Sequence, residues 1–394
     1  MARSIVVALV LVTALAPVQA LAQGTARSMD IDTSIRAAAM GGTSAAVGWG
    51  DPGVWGNPAT IAMLQGVRWE HGRTQLVPGL ADHVFLRSER LLIGGSGIGA
   101  SFMGEPFENV GGTRLDYGTS TVTDPGGNPT GTFDSYERVQ GVGIGVSVLR
   151  FIDAMSGVYG GRTNRSRAFD VSLGVQHKRA EVVLAPDVAG GRAAAQCIDW
   201  GTMVRLSPLE FGPATALGER FELDLTLARS VLNANDNAFT FLNEDIAVPA
   251  TRMRRWGGAL RVAMKAPWAS TPNRDLRARL FSALTTIVEV GGAFDREHNS
   301  AGDAGYPYDV ERNGWEVTAL SVVSVRGGHV TDRLGEIIGG TSGYGIRVPV
   351  GPWAGFRFDH AVIPQSSGLE EVKREGWSTW IDPWAIARDL RERR

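Results

Sequence analysis

Apolar and polar residues alternate with a period of two along most of this chain. The clearest example is residues 221–227, in which every odd position is apolar and the even positions are Glu222, Asp224 and Thr226. A strand with this pattern has one apolar and one polar face, whereas a helix would spread the acids around its circumference. The pattern therefore predicts an all-β fold.

The same alternation predicts about 12 to 14 strands in the whole chain. They lie near residues 66–75, 82–87, 91–102, 139–149, 169–176, 178–184, 198–206, 221–227, 255–265, 280–294, 315–325, 343–350, 356–358 and 376–381. Many approach ten residues, which suits a tilted bilayer crossing better than the usual globular strand of about five or six residues. Their polar faces carry whole charges such as Arg255 and Arg261. An arginine turned toward lipid at mid-depth would cost about 2–4 kcal/mol, so these faces are expected to line a wet lumen or to face solvent.

The connections between the predicted strands differ in length. Short ones are expected at residues 88–90 and 351–354, and long polar ones at residues 104–138, 233–252, 295–313 and 328–342. Tight turns at one end and long loops at the other are typical of outer-membrane barrels. Tryptophans near strand ends would form interfacial girdles in such a barrel: Trp49, Trp55, Trp69, Trp315, Trp353, Trp377, Trp380 and Trp384. A secreted, soluble β-sandwich would also alternate, and the pattern leaves that alternative open.

The first 22 residues read as a secretory signal peptide. A short apolar stretch, residues 5–18, follows Arg3 and precedes an Ala-x-Ala cleavage site at residues 20–22. A membrane anchor is the alternative interpretation, but this stretch is shorter than the roughly 20 apolar residues of a spanning helix. Export places the chain in an oxidising compartment, where the single cysteine, Cys197, has no partner within the chain.

Composition adds two constraints. The net charge of −2 gives no sign of a nucleic-acid partner. The 51 glycines are roughly twice the usual share of about 7% and indicate bends, bulges and close backbone approach in strands. The glycine runs at residues 94–99 and 141–145 lack the helix and the Lys-Ser/Thr pair of a phosphate loop, so they are interpreted as strand glycines.

Residues 36–59 form the most specific stretch. It is rich in alanine and glycine and ends in the turn signal Asn57-Pro58. Its small side chains allow close backbone packing, which predicts a compact insert inside a wide structure. The residues that define it are Met40, Gly41, Gly42, Asp51, Asn57, Pro58 and Ala59.

In this stretch the sequence resembles the FadL-type outer-membrane transporters, the long-chain fatty-acid transporter superfamily, and in particular their PorV-type branch. Those proteins share an Ala/Gly-rich opening, an acidic position and an Asn-Pro-Ala turn. The far end resembles the last strands of the PorV-type branch at residues 325–328, 343–345 and 358–361. Two features depart from the family: His360 replaces a tyrosine, and the chain continues past a last strand near residues 377–381 into a charged tail.

The resemblance implies one antiparallel transmembrane β-barrel of about 14 strands with an N-terminal segment plugging the lumen. We therefore expect a signal peptide at 1–22, a plug segment at 23–65, the barrel at 66–382 and a charged tail at 383–394 in the cell outer membrane of a Gram-negative-type bacterium. The implied role is passage of hydrophobic small molecules, which predicts an apolar pocket beside residues 41–59 and a lateral opening between strands. The alternative is a non-transporting barrel that serves protein secretion or surface attachment, with secretion-system proteins as partners beside the membrane lipid.

The sequence holds no recognisable catalytic motif. The six histidines lack zinc-binding spacing, and Cys197 is interpreted as a buried thiol. Acids at Asp236, Glu244, Asp245, Asp295, Glu297, Asp303 and Asp309 are expected in solvated loops, without the spacing of an EF-hand. We expect no catalytic residues, no metal and no cofactor, although a lipid-modifying barrel enzyme with a Ser/His/acid cluster at one rim is a third class that sequence leaves open.

Overall fold

The structure is a computed structural model that describes residues 26–50, 53–81, 83–104, 112–158, 169–186, 190–211, 220–235, 237–241, 247–265, 284, 286–300, 307–366 and 368–392. The predicted signal peptide and Asp51 lie outside the described residues. The strands are β1 (Gly66–Gln75), β2 (Phe85–Gly95), β3 (Ile98–Met103), β4 (Thr113–Thr123), β5 (Pro129–Ser147), β6 (Asp170–Val183), β7 (Arg192–Phe211), β8 (Arg220–Leu232), β9 (Ala238–Thr240), β10 (Ala247–Pro249), β11 (Met253–Lys265), β12 (Thr286–Asn299), β13 (Tyr308–Ala319), β14 (Val323–Asp332), β15 (Ile337–Val350), β16 (Ala354–Ile363) and β17 (Val372–Ile381).

The helices of the described residues are few and short. They are α1 (Ile35–Ala39), α2 (Val148–Val158) and α3 (Pro383–Glu392), with 3-10 turns at Arg27–Met29 and Pro58–Met63. Among the described residues, no helix has both the length and the hydropathy needed to cross a membrane. In the charged tail, Asp382 caps α3 by accepting hydrogen bonds from the backbone N–H groups of Trp384 and Ala385, both at 3.0 Å.

One antiparallel sheet closes on itself. β1 pairs with β2 on one side and with β17 on the other, so the sheet has no free edge. β3 and β4 share one place in the wall between β2 and β5, which makes a barrel of 14 strand positions. The small hairpin β9–β10 stands apart from this wall. The prediction of an all-β barrel of about 14 strands is confirmed, and a two-layer sandwich is excluded.

The shared wall position of β3 and β4 is nearly continuous in its hydrogen bonding. On β5, Gly141 pairs with Met103 and Val139 pairs with Thr113, so Gln140 alone separates the two ladders. On the other side, the Glu89 N–H donates to the Gly112 carbonyl at 2.8 Å. The described residues therefore show no lateral opening of the kind that the transport hypothesis predicted.

The alternation of the strands turns apolar side chains outward and charges inward. Leu173 is 49% exposed and Leu227 56% exposed on the outer face. Glu222, Asp224 and Arg261 meet inside the barrel, where Arg261 pairs with Asp224 and reaches Glu222 at 3.7 Å. A closed sheet with this inverted distribution matches a barrel that contacts lipid on its outside.

Aromatic side chains mark one edge of the apolar band. Trp69 packs edge to face on Trp377 with ring centroids 4.9 Å apart, and Trp256 does so on Phe294 at 5.5 Å. Outward positions beyond them toward the ends of β1, β12 and β17 turn polar, as at Arg73, His298 and Lys373. Of the predicted girdle, Trp69, Trp315 and Trp377 lie on this outer face, and Trp200 and Trp256 belong there too.

The other tryptophans predicted for the girdle do not lie on the outer face of the strands. Trp49 and Trp55 are buried inside the lumen, because residues 36–59 carry them there. Trp380 faces inward under the Arg347 guanidinium, which lies 4.5 Å from its ring centroid. Trp353 lies in the turn between β15 and β16, and Trp384 lies on α3.

Several predicted connections are strands instead. β2 runs straight through residues 88–90 and turns at Ser96-Gly97, whose positive φ angles of 55° and 82° suit a tight hairpin. Residues 104–138 contain β4 and part of β5, and residues 328–342 span a hairpin whose turn is 333–336. At residues 88–90 the polar side chains of Ser88 and Arg90 face the lumen, and at the other two segments the strands continue beyond the apolar band with polar outward residues. Long connections occur at both ends, as at 233–252 and, at the opposite end, between Ser147 and Asp170, where α2 lies, so the predicted division into a short-turn end and a long-loop end is wrong.

Candidate functional site in the barrel lumen

The described residues of the plug segment, 26–50 and 53–64, fill the lumen and contact most of the wall. From α1 onward the segment passes β17, β16, β15, β14, β13 and β12, and its second half passes β7, β6, β5, β3 and β2 before the chain enters the wall as β1. Most of its side chains are buried. The sequence thus produces a plug because small residues let the backbone itself lie against the wall.

Inward-facing glycines of the wall receive this segment. A Cβ on Gly314 or Gly328 would overlap the Met40 backbone, and one on Gly174 would overlap Pro58. The same relation joins Gly343 to Ala39, Gly291 to Trp49, Gly201 to Asn57, Gly99 and Gly145 to Ile61, and Gly94 to Leu64. The glycine excess of the sequence therefore reflects close approach of plug and wall, in addition to strand bending.

Met40, Gly41 and Gly42 form the turn that ends α1. Gly41 and Gly42 have φ angles of +69° and +84°, which favour glycine. The Gly41 N–H donates to Thr341 Oγ1 at 2.8 Å, and Thr341 donates to the Ala39 carbonyl at 2.9 Å. Met40 is 1% exposed. These three residues dock the first turn of the plug segment on β13, β14 and β15.

Asn57, Pro58 and Ala59 form the second turn. Asn57 Oδ1 accepts the Ala59 N–H at 2.9 Å and caps the following 3-10 turn, with Pro58 in its first position. Asn57 Nδ2 donates to the Ala45 carbonyl at 2.8 Å and to the Thr202 carbonyl at 3.3 Å. One amide thus ties two arms of the plug segment to β7.

The motifs of the far end converge on the plug segment. Arg36 pairs with Glu316 of β13, and Glu316 also accepts from Arg326 of β14 at 2.5 Å. Arg326 reaches Asp359 of β16 at 2.7 Å, and Arg357 pairs with the same carboxylate at 2.8 Å. Residues 325–328 and 358–361, which carried the resemblance at this end, are therefore part of the wall that holds the plug.

A second anchor was not anticipated from the sequence. The Asp295 carboxylate accepts the backbone N–H groups of Ser44 and Ala45 at 2.7 and 2.9 Å. Arg255 pairs with Glu297 beside it and donates to Ser44 Oγ at 3.3 Å. Asp295 and Glu297 were expected in a solvated loop; they are buried inward positions of β12. Strict alternation through residues 293–299 was the available signal.

Metal binding and cysteine chemistry find little basis in the described lumen. No group of three or more His, Cys, Asp or Glu side chains that could hold a metal ion occurs among the described residues. Cys197 is buried, as interpreted from the sequence, but it has a basic cross-strand neighbour, Lys178. Lys178 Nζ forms a salt bridge with Asp199 Oδ2 at 2.8 Å. The arrangement is a paired cation next to a thiol enclosed by apolar groups.

An apolar cluster occupies one side of the lumen at the end of the barrel that carries β9–β10, here called the hairpin end. Its wall members come from β3, β5, β6 and β7, its cover from the β9–β10 region, and its floor from the plug segment. They are Ala26, Met29, Trp55, Met103, Val139, Ala180, Val182, Ala193, Ala195, Cys197, Phe239 and Ala250, with Phe241 and Val248 packed against them. Phe239 is 0% exposed.

Two of the cavities formed by the described residues border the plug segment, and charged side chains contribute to the lining of both. One of about 60 Å³ lies against α1 and includes Glu70, His71 and Arg90. The other, of about 200 Å³, lies beside Gly50 at the end where β17 finishes, and includes Arg261, Glu289 and Arg347. Neither cavity is the apolar pocket that was expected beside residues 41–59. The apolar side chains near the plug segment pack against each other instead.

Comparison with protein-family models and with curated protein sequences gives no match. Among solved structures, the chain is similar to a deletion mutant of TodX, described as a monoaromatic hydrocarbon channel, at 12% identity over 89% of this chain and 98% of that chain, with a TM-score of 0.39. It is similar to the toluene transporter TodX of Pseudomonas putida at 13% identity over 87% and 96%, TM-score 0.37, and to a FadL homologue of Pseudomonas aeruginosa at 10% identity over 89% and 98%, TM-score 0.37. These likenesses to FadL- and TodX-type barrels assign neither a substrate nor a role to this chain.

Proposed function

We propose that this protein is an outer-membrane barrel through which hydrophobic small molecules pass, entering at the hairpin end by way of the apolar cluster. The observation that carries the proposal is the position of that cluster. It lies at the hairpin end of β3, β5, β6 and β7, whereas buried charges lie deeper on the same strands, as at Lys178 and Asp199, and elsewhere in the lumen, as at Arg255. Apolar residues inside a barrel of this size attract apolar solutes and repel polar ones.

The composition of the cluster suits passage better than simple packing. Ala180, Ala193 and Ala195 present small side chains, and Phe239 from the hairpin is buried in the same cluster. A solute that takes the place of the Phe239 ring covers the apolar surface that the ring exposes when it leaves. Burial of apolar surface contributes about 25 cal/mol per Å². Displacement of the Phe239 ring would therefore open apolar space whose burial an entering solute restores.

Uptake by liposomes that contain the purified protein tests the proposal. Radiolabelled toluene and dodecane are the probes, and glucose is the polar control. Ala195→Trp places a large ring in the apolar cluster and is expected to reduce apolar uptake several-fold. Ala194→Trp is the matched control, because Ala194 is exposed on the opposite face of β7. Heat-modifiable electrophoretic mobility verifies that each barrel is folded; a folded Ala195→Trp barrel with wild-type uptake would refute the route.

One observation favours the second candidate, a non-transporting barrel in secretion or surface attachment. The plug segment lies against wall glycines almost all around the lumen, and the ladder at the β3/β4 position is nearly continuous. On this hypothesis the apolar cluster is a static core that fastens the hairpin. Wild-type liposomes that take up toluene and dodecane no faster than protein-free liposomes would select this candidate.

A further inference from the structure

We propose that an outward-facing patch of two arginines and two tryptophans binds the phosphate of a lipid headgroup in the leaflet at the hairpin end. The patch consists of Trp200 on β7, Arg229 on β8, and Arg254 and Trp256 on β11. The proposal rests on the membrane placement of the barrel and not on the passage of any solute.

Strand register places the four side chains together. Arg229 lies directly opposite Trp256, and Arg254 is two residues from Trp256 on the same face. Trp200 lies opposite Val231, whose partner on the other side is Arg254. With strands about 4.8 Å apart, the patch spans three neighbouring strands and about 10 Å of width. All four side chains are exposed, Trp256 by 50%.

The patch sits at the edge of the apolar band. The outward neighbour of Arg229 on the membrane side is Leu227, which lies opposite Val204, and both are exposed apolar residues. Tryptophan is enriched at the depth of lipid headgroups, where its ring contacts acyl chains and its N–H meets polar groups. The two guanidinium groups are therefore held at headgroup depth.

The patch carries two guanidinium charges. Among the residues that the structure describes, neither Arg229 nor Arg254 has a carboxylate within ion-pair distance. The next outward arginine, Arg296 on β12, is paired with Asp309 at 2.8 Å. Guanidinium groups bind phosphate oxygens through two parallel hydrogen bonds, and a site at the edge of the apolar band strengthens such contacts. A phosphorylated lipid is thus the occupant that complements both the charge and the depth.

Native mass spectrometry of the full-length protein in detergent tests the site. Diphosphoryl lipid A is the probe, and its dephosphorylated form tests whether the phosphate is recognised. Two charge-assisted contacts predict that the double variant Arg229→Ala/Arg254→Ala loses at least about tenfold in affinity for diphosphoryl lipid A. Arg179→Ala is the matched control: Arg179 is exposed on β6, four residues beyond Val175, which lies opposite Trp200.

Each outcome is decisive. Loss of binding in the double variant, with wild-type binding in Arg179→Ala and weak binding of dephosphorylated lipid A, supports the site. Equal affinity of wild type and double variant would overturn it, as would equal binding of the two lipids. Displacement of lipid A by millimolar inorganic phosphate would show a site for free anions and also overturn it. Uptake of toluene is measured separately, so failure of the proposed passage leaves this test unaffected.

Discussion

Arg36 and Glu316 are 280 residues apart in sequence and form a bidentate ion pair inside the lumen, with Nη2–Oε1 at 2.6 Å and Nε–Oε2 at 2.9 Å. Both side chains are 4% exposed. Arg36 Nη1 also donates to the Trp49 carbonyl at 2.8 Å, so one guanidinium joins two parts of the plug segment to the wall. Buried charges are tolerated when they are paired and hydrogen-bonded in this way. The pair fixes how the plug segment sits in the barrel.

Glu316→Gln is expected to loosen the plug segment. The substitution leaves Arg36 and Arg326 facing a neutral amide, and removal of one partner from a buried pair costs about 3–5 kcal/mol. We expect faster cleavage within residues 26–64, which limited proteolysis of the purified barrel measures. We also expect the variant to unfold at a lower denaturant concentration. Glu311→Gln, at an exposed outward position of the same strand, is the control and is expected to behave as wild type. Equal protection in both variants would mean that the pair does not hold the plug segment.

Gly292 and Gly314 lie on neighbouring strands, and substituting each one tests whether a wall glycine is needed for close approach of the plug segment or only for strand bending. A Cβ on Gly314 would overlap the Met40 backbone, whereas one on Gly292 meets nothing nearer than the Gly314 carbonyl at 3.9 Å. Gly314→Ala is therefore expected to destabilise the barrel by about 1–3 kcal/mol, the usual cost of overpacking. Gly292→Ala is expected to be neutral. Urea denaturation of the two variants in detergent measures the difference, and similar midpoints would contradict the plug–glycine contact.

The outer face of β6 tests the membrane placement. Leu173 lies in the apolar band and Phe169 lies just before the strand begins. Leu173→Arg is expected to cost about 2–4 kcal/mol in the bilayer, and Phe169→Arg about 0–1 kcal/mol because it is nearer the interface. Reversible folding into short-chain phosphatidylcholine vesicles under a denaturant gradient gives both values. If the cost is the same at the two positions, the assigned band is misplaced.

The sequence predicted the wall well because a two-residue period follows directly from strand geometry. Residues 66–75 were predicted with the bounds that β1 has, and Glu222, Asp224, Arg255 and Arg261 face the lumen as expected. The errors arose because the two-residue period does not show where along the barrel wall a strand ends. Residues 88–90 are polar and look like a turn, yet Arg90 points inward and is buried.

The lumen was less predictable because its contacts join residues hundreds of positions apart. The turns at residues 40–42 and 57–59 had a local signal in their small residues, glycines and Asn-Pro pair. The Asp295 anchor and the covering Phe239 had none beyond strand alternation, because their partners are backbone N–H groups of the plug segment and side chains of other strands. The resemblance at residues 325–328 and 358–361 did not predict that this part of the wall holds the plug segment.

Phe239 is expected to control access to the apolar cluster. Its ring is buried in the same cluster as wall residues of β6 and β7, including Ala180 and Ala195, and β9 contacts β7. Removing the ring in Phe239→Ala opens space in this cluster, so on the proposed function uptake of toluene and dodecane by liposomes rises several-fold while glucose stays excluded. Thr240→Ala is the control, because Thr240 is the exposed neighbour in β9. Unchanged uptake in a folded Phe239→Ala barrel would show that the hairpin does not limit entry, whereas glucose uptake would show that the variant opens a polar leak instead of an apolar path.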